Sequence, residues 1–165
     1  MAVVQRGGAS FVVDTNVWLD LYLPNRPGRD EAKRFLSAAA KKEATILFTL
    51  QSANDVFAQV GVNNKRWVRE GLGELNEAYS KAIRELSWDC VSNMQEIGTV
   101  VGADLSDLWL AEQYRTLHND LEDNLVLAAC IRAKADYLVT RDTDLIKHSP
   151  VAALTPDDAT KLLEL

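Results

Sequence analysis

Phe11-Val12-Val13-Asp14-Thr15-Asn16 decides how the chain folds. Its apolar, largely β-branched run stops abruptly at an acid, the mark of a short buried strand that ends in a polar turn. The same pattern returns at Thr45-Ile46-Leu47-Phe48-Thr49 and at Tyr137-Leu138-Val139-Thr140, which runs into Arg141-Asp142-Thr143-Asp144. A last short strand is expected within Val151-Ala152-Ala153-Leu154-Thr155-Pro156. Strands that are apolar throughout belong to sheets covered on both faces, which are built from parallel strands joined by helices.

The segments between these strands carry helical signals. Residues 30–42 place Phe35, Leu36, Ala39 and Ala40 on one side and charges opposite. After the second strand, Ser52 with Asp55 three residues on resembles a capping box with Asp in place of Glu. Residues 61–118 are less regular. Helices are expected at about 65–70, 74–86 and 106–117, broken at Gly71, Gly73, Gly98 and Gly102. Asp123 opens a further helix through Ile131, and a final helix runs to Leu165. The expectation is an α/β fold: one domain over residues 1–165, a parallel sheet with helices on both faces, and 61–118 as a variable helical segment.

Composition narrows the function classes. A chain of 165 residues with 47% apolar side chains builds one core without staples. Its 18 basic and 24 acidic side chains give a net charge of −6, which disfavours non-specific wrapping of nucleic acid. Acids gathered in an active site around cations remain compatible with that balance. The two cysteines, Cys90 and Cys130, form neither a metal-type spacing nor a disulfide framework. Met1-Ala2-Val3-Val4-Gln5-Arg6 lacks a signal-peptide core, and no run approaches the roughly 18 apolar residues of a membrane span. A cytoplasmic protein with no membrane partner is expected.

The acids fall at equivalent places. Asp14 ends the first strand, Asp55 lies just past the second, Asp123 starts a helix and Asp142 ends a later strand. Singly, each reads as a helix cap. Jointly, they converge on the carboxyl edge of an open α/β sheet, where ligands bind. Such a cluster repels itself unless it takes up protons or a cation. Carboxylates and water are the donors that Mg²⁺ or Mn²⁺ prefers. Asp120 is a candidate cap for the Asp123 helix, and Asp144 a further ligand or water contact.

These stretches resemble the PIN-domain nucleases, in particular the VapC-like toxins of toxin–antitoxin pairs. The matching residues are Val12-Val13-Asp14-Thr15-Asn16-Val17, Gln51-Ser52-Ala53-Asn54-Asp55-Val56-Phe57 and Asp123-Asn124-Leu125-Val126-Leu127-Ala128-Ala129. To these are added Ala135 through Leu145 and the tail Leu154-Thr155-Pro156-Asp157-Asp158. The resemblance implies a metal-dependent endoribonuclease with Asp14, Asp55, Asp123 and Asp142 as catalytic acids. Asp14, Asp123, Asp142 and Asp144 would hold Mg²⁺ or Mn²⁺, and Thr15, Asn16, Thr140 and Asp120 would support them. The family has Glu where this chain has Asp55, so the shorter arm reaches a metal through water.

It further implies an RNA substrate, an antitoxin partner and a possible homodimer. In that family, surfaces like those of Trp18, Leu19 and Tyr22, or the stripe Trp109, Leu110, Tyr114 and Leu117, hold a second subunit or an antitoxin helix. Lys65-Arg66-Trp67-Val68-Arg69 interleaves bases with an aromatic, so Lys65, Arg66 and Arg69 are candidate RNA contacts on what is otherwise a solvated helix face. His118 and His148 stand isolated in the sequence and read as structural or exposed.

Rival enzymes fit less well. A haloacid-dehalogenase-type phosphatase wants Asp where Asn16 stands, and a dinucleotide-binding domain wants a GxGxxG turn that is absent. A receiver domain leaves Asp142 and Asp144 unexplained. The rival of another class is a PIN domain that binds without cutting, favoured by Asp55 alone.

Overall fold

A computed structural model describes residues 8–165; the leader-free expectation for Met1–Arg6 lies outside the described residues. The strands β1 (Ser10–Val13), β2 (Thr45–Thr49), β3 (Thr99–Val101), β4 (Tyr137–Val139) and β5 (Ala153–Leu154) form one sheet in the order β3-β2-β1-β4-β5. Every neighbouring pair is parallel, with Val12 opposite Leu47 on one side and Leu138 on the other. The sheet is therefore of the covered α/β type that the apolar strands predict.

Helices α1 (Thr15–Tyr22), α2 (Arg29–Lys41), α3 (Leu50–Leu72), α4 (Glu77–Ile97), α5 (Leu105–Gln113), α6 (Leu121–Ala133), α7 (Thr143–His148) and α8 (Pro156–Glu164) surround it. Period-two alternation along β1 divides the core. Phe11 and Val13 pack with Trp18, Phe35, Phe48 and Met94 on one face. Val12 packs with Leu127, Cys130, Leu138 and Leu145 on the other. Both cysteines are free and buried. No helix among the described residues is long and apolar enough to cross a membrane.

Several boundaries differ from the sequence-based expectations. Thr49, not Ser52, caps α3: its hydroxyl accepts the Ser52 N–H at 3.0 Å. The separate helix expected at 65–70 is the end of that 23-residue helix, which runs through Gly61, Asn63 and Asn64. Those residues are weak helix formers, and packing against α4 overrides them. Helix α4 starts later and ends later than expected, at an Asn76 cap and at Gly98. Gly98 passes so close to Ile46 that a Cβ there would meet its carbonyl oxygen at 2.8 Å. Strand β3 was not anticipated: it lies at the sheet edge, is mostly exposed, and its β-branched run Thr99-Val100-Val101 is only three residues long. Helix α5 ends at Gln113, and a 3-10 turn at Tyr114–Thr116 follows. Helix α6 starts at Leu121 under an Asp120 cap rather than at Asp123.

Candidate active site

The order β3-β2-β1-β4-β5 reverses between β1 and β4, the switch point where open α/β sheets bind ligands. Asp14 leaves β1 there in extended conformation and caps α1. Its Oδ1 accepts the Thr15 N–H at 2.7 Å, and its Oδ2 accepts from Asn16 Nδ2 at 2.8 Å and Thr140 Oγ1 at 2.7 Å. Thr140, the first residue past β4, is fully buried. Its hydroxyl oxygen also accepts the Asp142 N–H at 3.0 Å, while Asn16 Oδ1 accepts the Arg141 N–H at 3.1 Å. The two strand ends are thereby sewn together around one carboxylate. The Thr15 hydroxyl points elsewhere, donating to Ser52 Oγ at 2.9 Å.

Asp142 caps α7, its Oδ1 accepting the Asp144 and Leu145 N–H groups at 2.8 and 2.9 Å. Asp123 sits in the first turn of α6 beneath Asp120, whose Oδ1 accepts its N–H at 3.2 Å. One donor atom from each of His118, Asp123 and Asp142 lies within 4.8 Å of the others. Asp14, Asp123, Asp120 and Asp55 line a common cleft of about 380 Å³, together with Glu122.

The electrostatics register this crowding. Burial pushes the Asp14 carboxyl above its ordinary value; the Thr140 and Thr15 hydrogen bonds oppose the shift and the Asp142 charge adds to it. Burial also raises Asp123 to about 6, with Asp14 the strongest of the neighbouring charges and His118 acting the other way. Oxygen donors held together at that expense suit a hard divalent cation, which would relieve their repulsion.

Other candidates stand apart from the His118–Asp123–Asp142 group. Both oxygens of Asp55 accept from Gln51 Nε2, at 2.9 and 3.0 Å. Across the cleft Asp55 meets Glu122, whose pKa is pushed to about 7 by partial burial, then by the Asp55 charge and their hydrogen bond. Asp144 is exposed on the first turn of α7. Lys65, Arg66 and Arg69 lie far along α3, about 15 to 21 Å beyond Asp55 on the helix axis. Val68 among them is buried and Trp67 is exposed.

Sequence reasoning missed two members of the site. Glu122 could have been found from its place between Asp120 and Asp123 at a helix start. His118 offered no local signal, because only the turn after Tyr114–Thr116 folds it back onto α6. Of the apolar side chains expected to dock a partner, Trp18 is wholly buried, its indole N–H donating to Val13 O at 3.2 Å, whereas Trp109 and Leu117 are exposed.

Comparison with known proteins agrees with this fold. The chain resembles a toxin–antitoxin complex from Klebsiella pneumoniae with a TM-score of 0.56 and 20% identity over 90% of this chain and 98% of that one. It resembles VapBC-1 from nontypeable Haemophilus influenzae with a TM-score of 0.60 and 12% identity over 89% and 98%. At these identities the likeness concerns the fold. A search of curated proteins found no match. The family model described as PIN domain matches residues 10–144, which take in β1 through the start of α7 and every acid above. The chain belongs to the PIN-domain family.

Proposed function

We propose that this protein is a Mg²⁺- or Mn²⁺-dependent endoribonuclease and the toxin of a toxin–antitoxin pair, acting in the cytoplasm. The observation that carries this function is the meeting of Asp123 and Asp142 in one group of donors at the switch point, with Asp14 outside that group but near enough for its charge to act on Asp123 and for the Asp142 charge to act on it. Asp14, Asp123 and Asp142 would hold the cation, with Asp144 available through water. A divalent ion bound there supplies Lewis acidity toward a phosphodiester oxygen and acidifies water.

The chain's own residues supply the positioning. Thr140 and Asn16 lock the Asp14 rotamer, and the Thr15 amide holds its other oxygen. Asp120 fixes the first turn of α6 and so the height of Asp123. The cleft lined by these acids would take the phosphodiester of a single-stranded RNA, and Lys65, Arg66 and Arg69 would extend the track along α3.

An antitoxin partner is supported by the two structural neighbours, one a toxin–antitoxin complex and the other VapBC-1. Exposed Leu105, Leu108 and Trp109 on α5 favour a homodimer face. A PIN domain that binds without cutting draws on one observation: both Asp55 oxygens are occupied by Gln51. Incubation with mixed RNA separates the two. Cleavage that needs Mg²⁺ or Mn²⁺ and stops with EDTA supports the nuclease, and no cleavage with either ion supports the binding module.

A further inference from the structure

The pair Asp123 and Asp142 has a nitrogen donor beside it. His118 Nε2 lies 3.4 Å from Asp123 Oδ2, and a ring nitrogen of His118 falls within the 4.8 Å span of the group that includes an Asp142 oxygen. Donors about 2.1 Å from a shared ion stand roughly 3 to 4.2 Å apart, so a small closure brings all three onto one cation.

The position of His118 is built rather than incidental. Its N–H donates to Tyr114 O at 3.0 Å, and its carbonyl accepts from Asn124 Nδ2 at 2.7 Å. Asn124 is 2% exposed and directly follows Asp123, so the helix that carries the acid also pins the histidine. The imidazole is largely buried. Its Nδ1 has no hydrogen-bond partner among the described residues, which leaves its polar contact on the side facing the acids. The other histidine, His148, is exposed on α7 with Nδ1 against Asp144 O.

We propose that His118 is a ligand of this centre through Nε2, giving a mixed imidazole–carboxylate set that prefers a first-row transition ion such as Mn²⁺ over Mg²⁺. The proposal rests on the acids being a cation site. It follows from ligand chemistry: Mg²⁺ takes oxygen donors almost exclusively, whereas an imidazole nitrogen strengthens binding of transition ions.

The test is electron spin-echo envelope modulation on the whole protein loaded with Mn²⁺. The expected spectrum shows modulation from a directly bound nitrogen, which changes when histidine alone is labelled with ¹⁵N. It persists in His148→Gln and vanishes in His118→Gln. Calorimetry should find the Mn²⁺-to-Mg²⁺ affinity ratio lowered roughly tenfold in His118→Gln. If His118→Gln fails to fold, the labelled wild-type and His148→Gln spectra still decide the matter. Bound Mn²⁺ without nitrogen modulation, or modulation that survives in folded His118→Gln, overturns the His118 ligand and leaves the cation site standing. No Mn²⁺ uptake overturns both.

Discussion

The Thr140 hydroxyl donates to Asp14 Oδ2 at 2.7 Å, joining residues 126 positions apart at the ends of two adjacent strands. The bond keeps a buried carboxylate oriented, and the same oxygen of Thr140 holds the backbone of Asp142. One side chain therefore sets the spacing of two acids. Replacing it with valine keeps the shape and removes both bonds, together with the one that Thr140 Oγ1 accepts from Asn16 Nδ2 at 3.1 Å. Thr140→Val should weaken Mn²⁺ binding roughly 10- to 100-fold, the usual effect of losing a group that orients a metal ligand. It should also lower stability by about 1–3 kcal/mol, because buried polar groups lose their partner. Calorimetry and urea unfolding read the two effects. Metal affinity equal to wild type would show that the bond does not position Asp14.

The acids also make the metal-free protein sensitive to pH. Asp123 rises from 3.8 to about 6 on folding, and Glu122 from 4.5 to about 7. Below the ordinary values both states are protonated and no difference arises. Between them and the raised values the folded state binds more protons, so stability falls as pH rises from about 4 to 7. Above that window the folded state carries the full repulsion. EDTA-treated protein should thus melt lower at pH 7.5 than at pH 5.5, and Glu122→Gln should reduce the difference. A melting temperature that rises across this range in wild type would contradict the electrostatics.

Gly28 makes room for a second charged assembly beside the site. Buried Asp20 pairs with Arg26 at 2.6 Å and Arg141 at 3.1 Å, and Arg141 reaches Glu31 at 2.6 Å. A Cβ on Gly28 would collide with Asp20 Oδ2 and the Arg141 guanidinium. Gly28→Ala should cost about 1–3 kcal/mol in chemical unfolding through this overpacking. A variant as stable as wild type would mean that the network yields freely.

What the sequence made legible follows from what is local. Buried strands such as Val12-Val13 and Leu138-Val139 announce themselves by composition, and acids at their ends mark the carboxyl edge of the sheet. Asp14 and Asp142 were accessible in this way, and Asp123 through its place at a helix start. Long-range closure was not. Nothing local to His118 tells that Asn124 will pin its carbonyl. Nor does the sequence around Asp55 tell that it will face Glu122 across the cleft. Strand β3 escaped because Thr99-Val100-Val101, though β-branched, is only three residues long between Gly98 and Gly102. The continuity of α3 through Gly61 and two asparagines is a tertiary effect, since α4 packs along it.

The basic residues of α3 give a salt-dependent prediction. If Lys65, Arg66 and Arg69 hold phosphates, changing all three to alanine should weaken binding of single-stranded RNA. The slope of log affinity against log salt should fall by about 2, at roughly 0.7 per lost contact. Filter binding from 50 to 200 mM salt, with metal withheld to prevent cleavage, reads the slope. An unchanged slope removes these residues from the RNA track.

Calorimetric titration of EDTA-stripped protein with Mn²⁺ and Mg²⁺ bears most directly on the cluster of Asp14, Asp123 and Asp142. Saturable uptake by the wild type is expected, weakened at least roughly tenfold in folded Asp14→Asn and Asp142→Asn. Absence of uptake by the wild type, or equal affinity in both variants, would contradict the assignment of these acids as a metal centre.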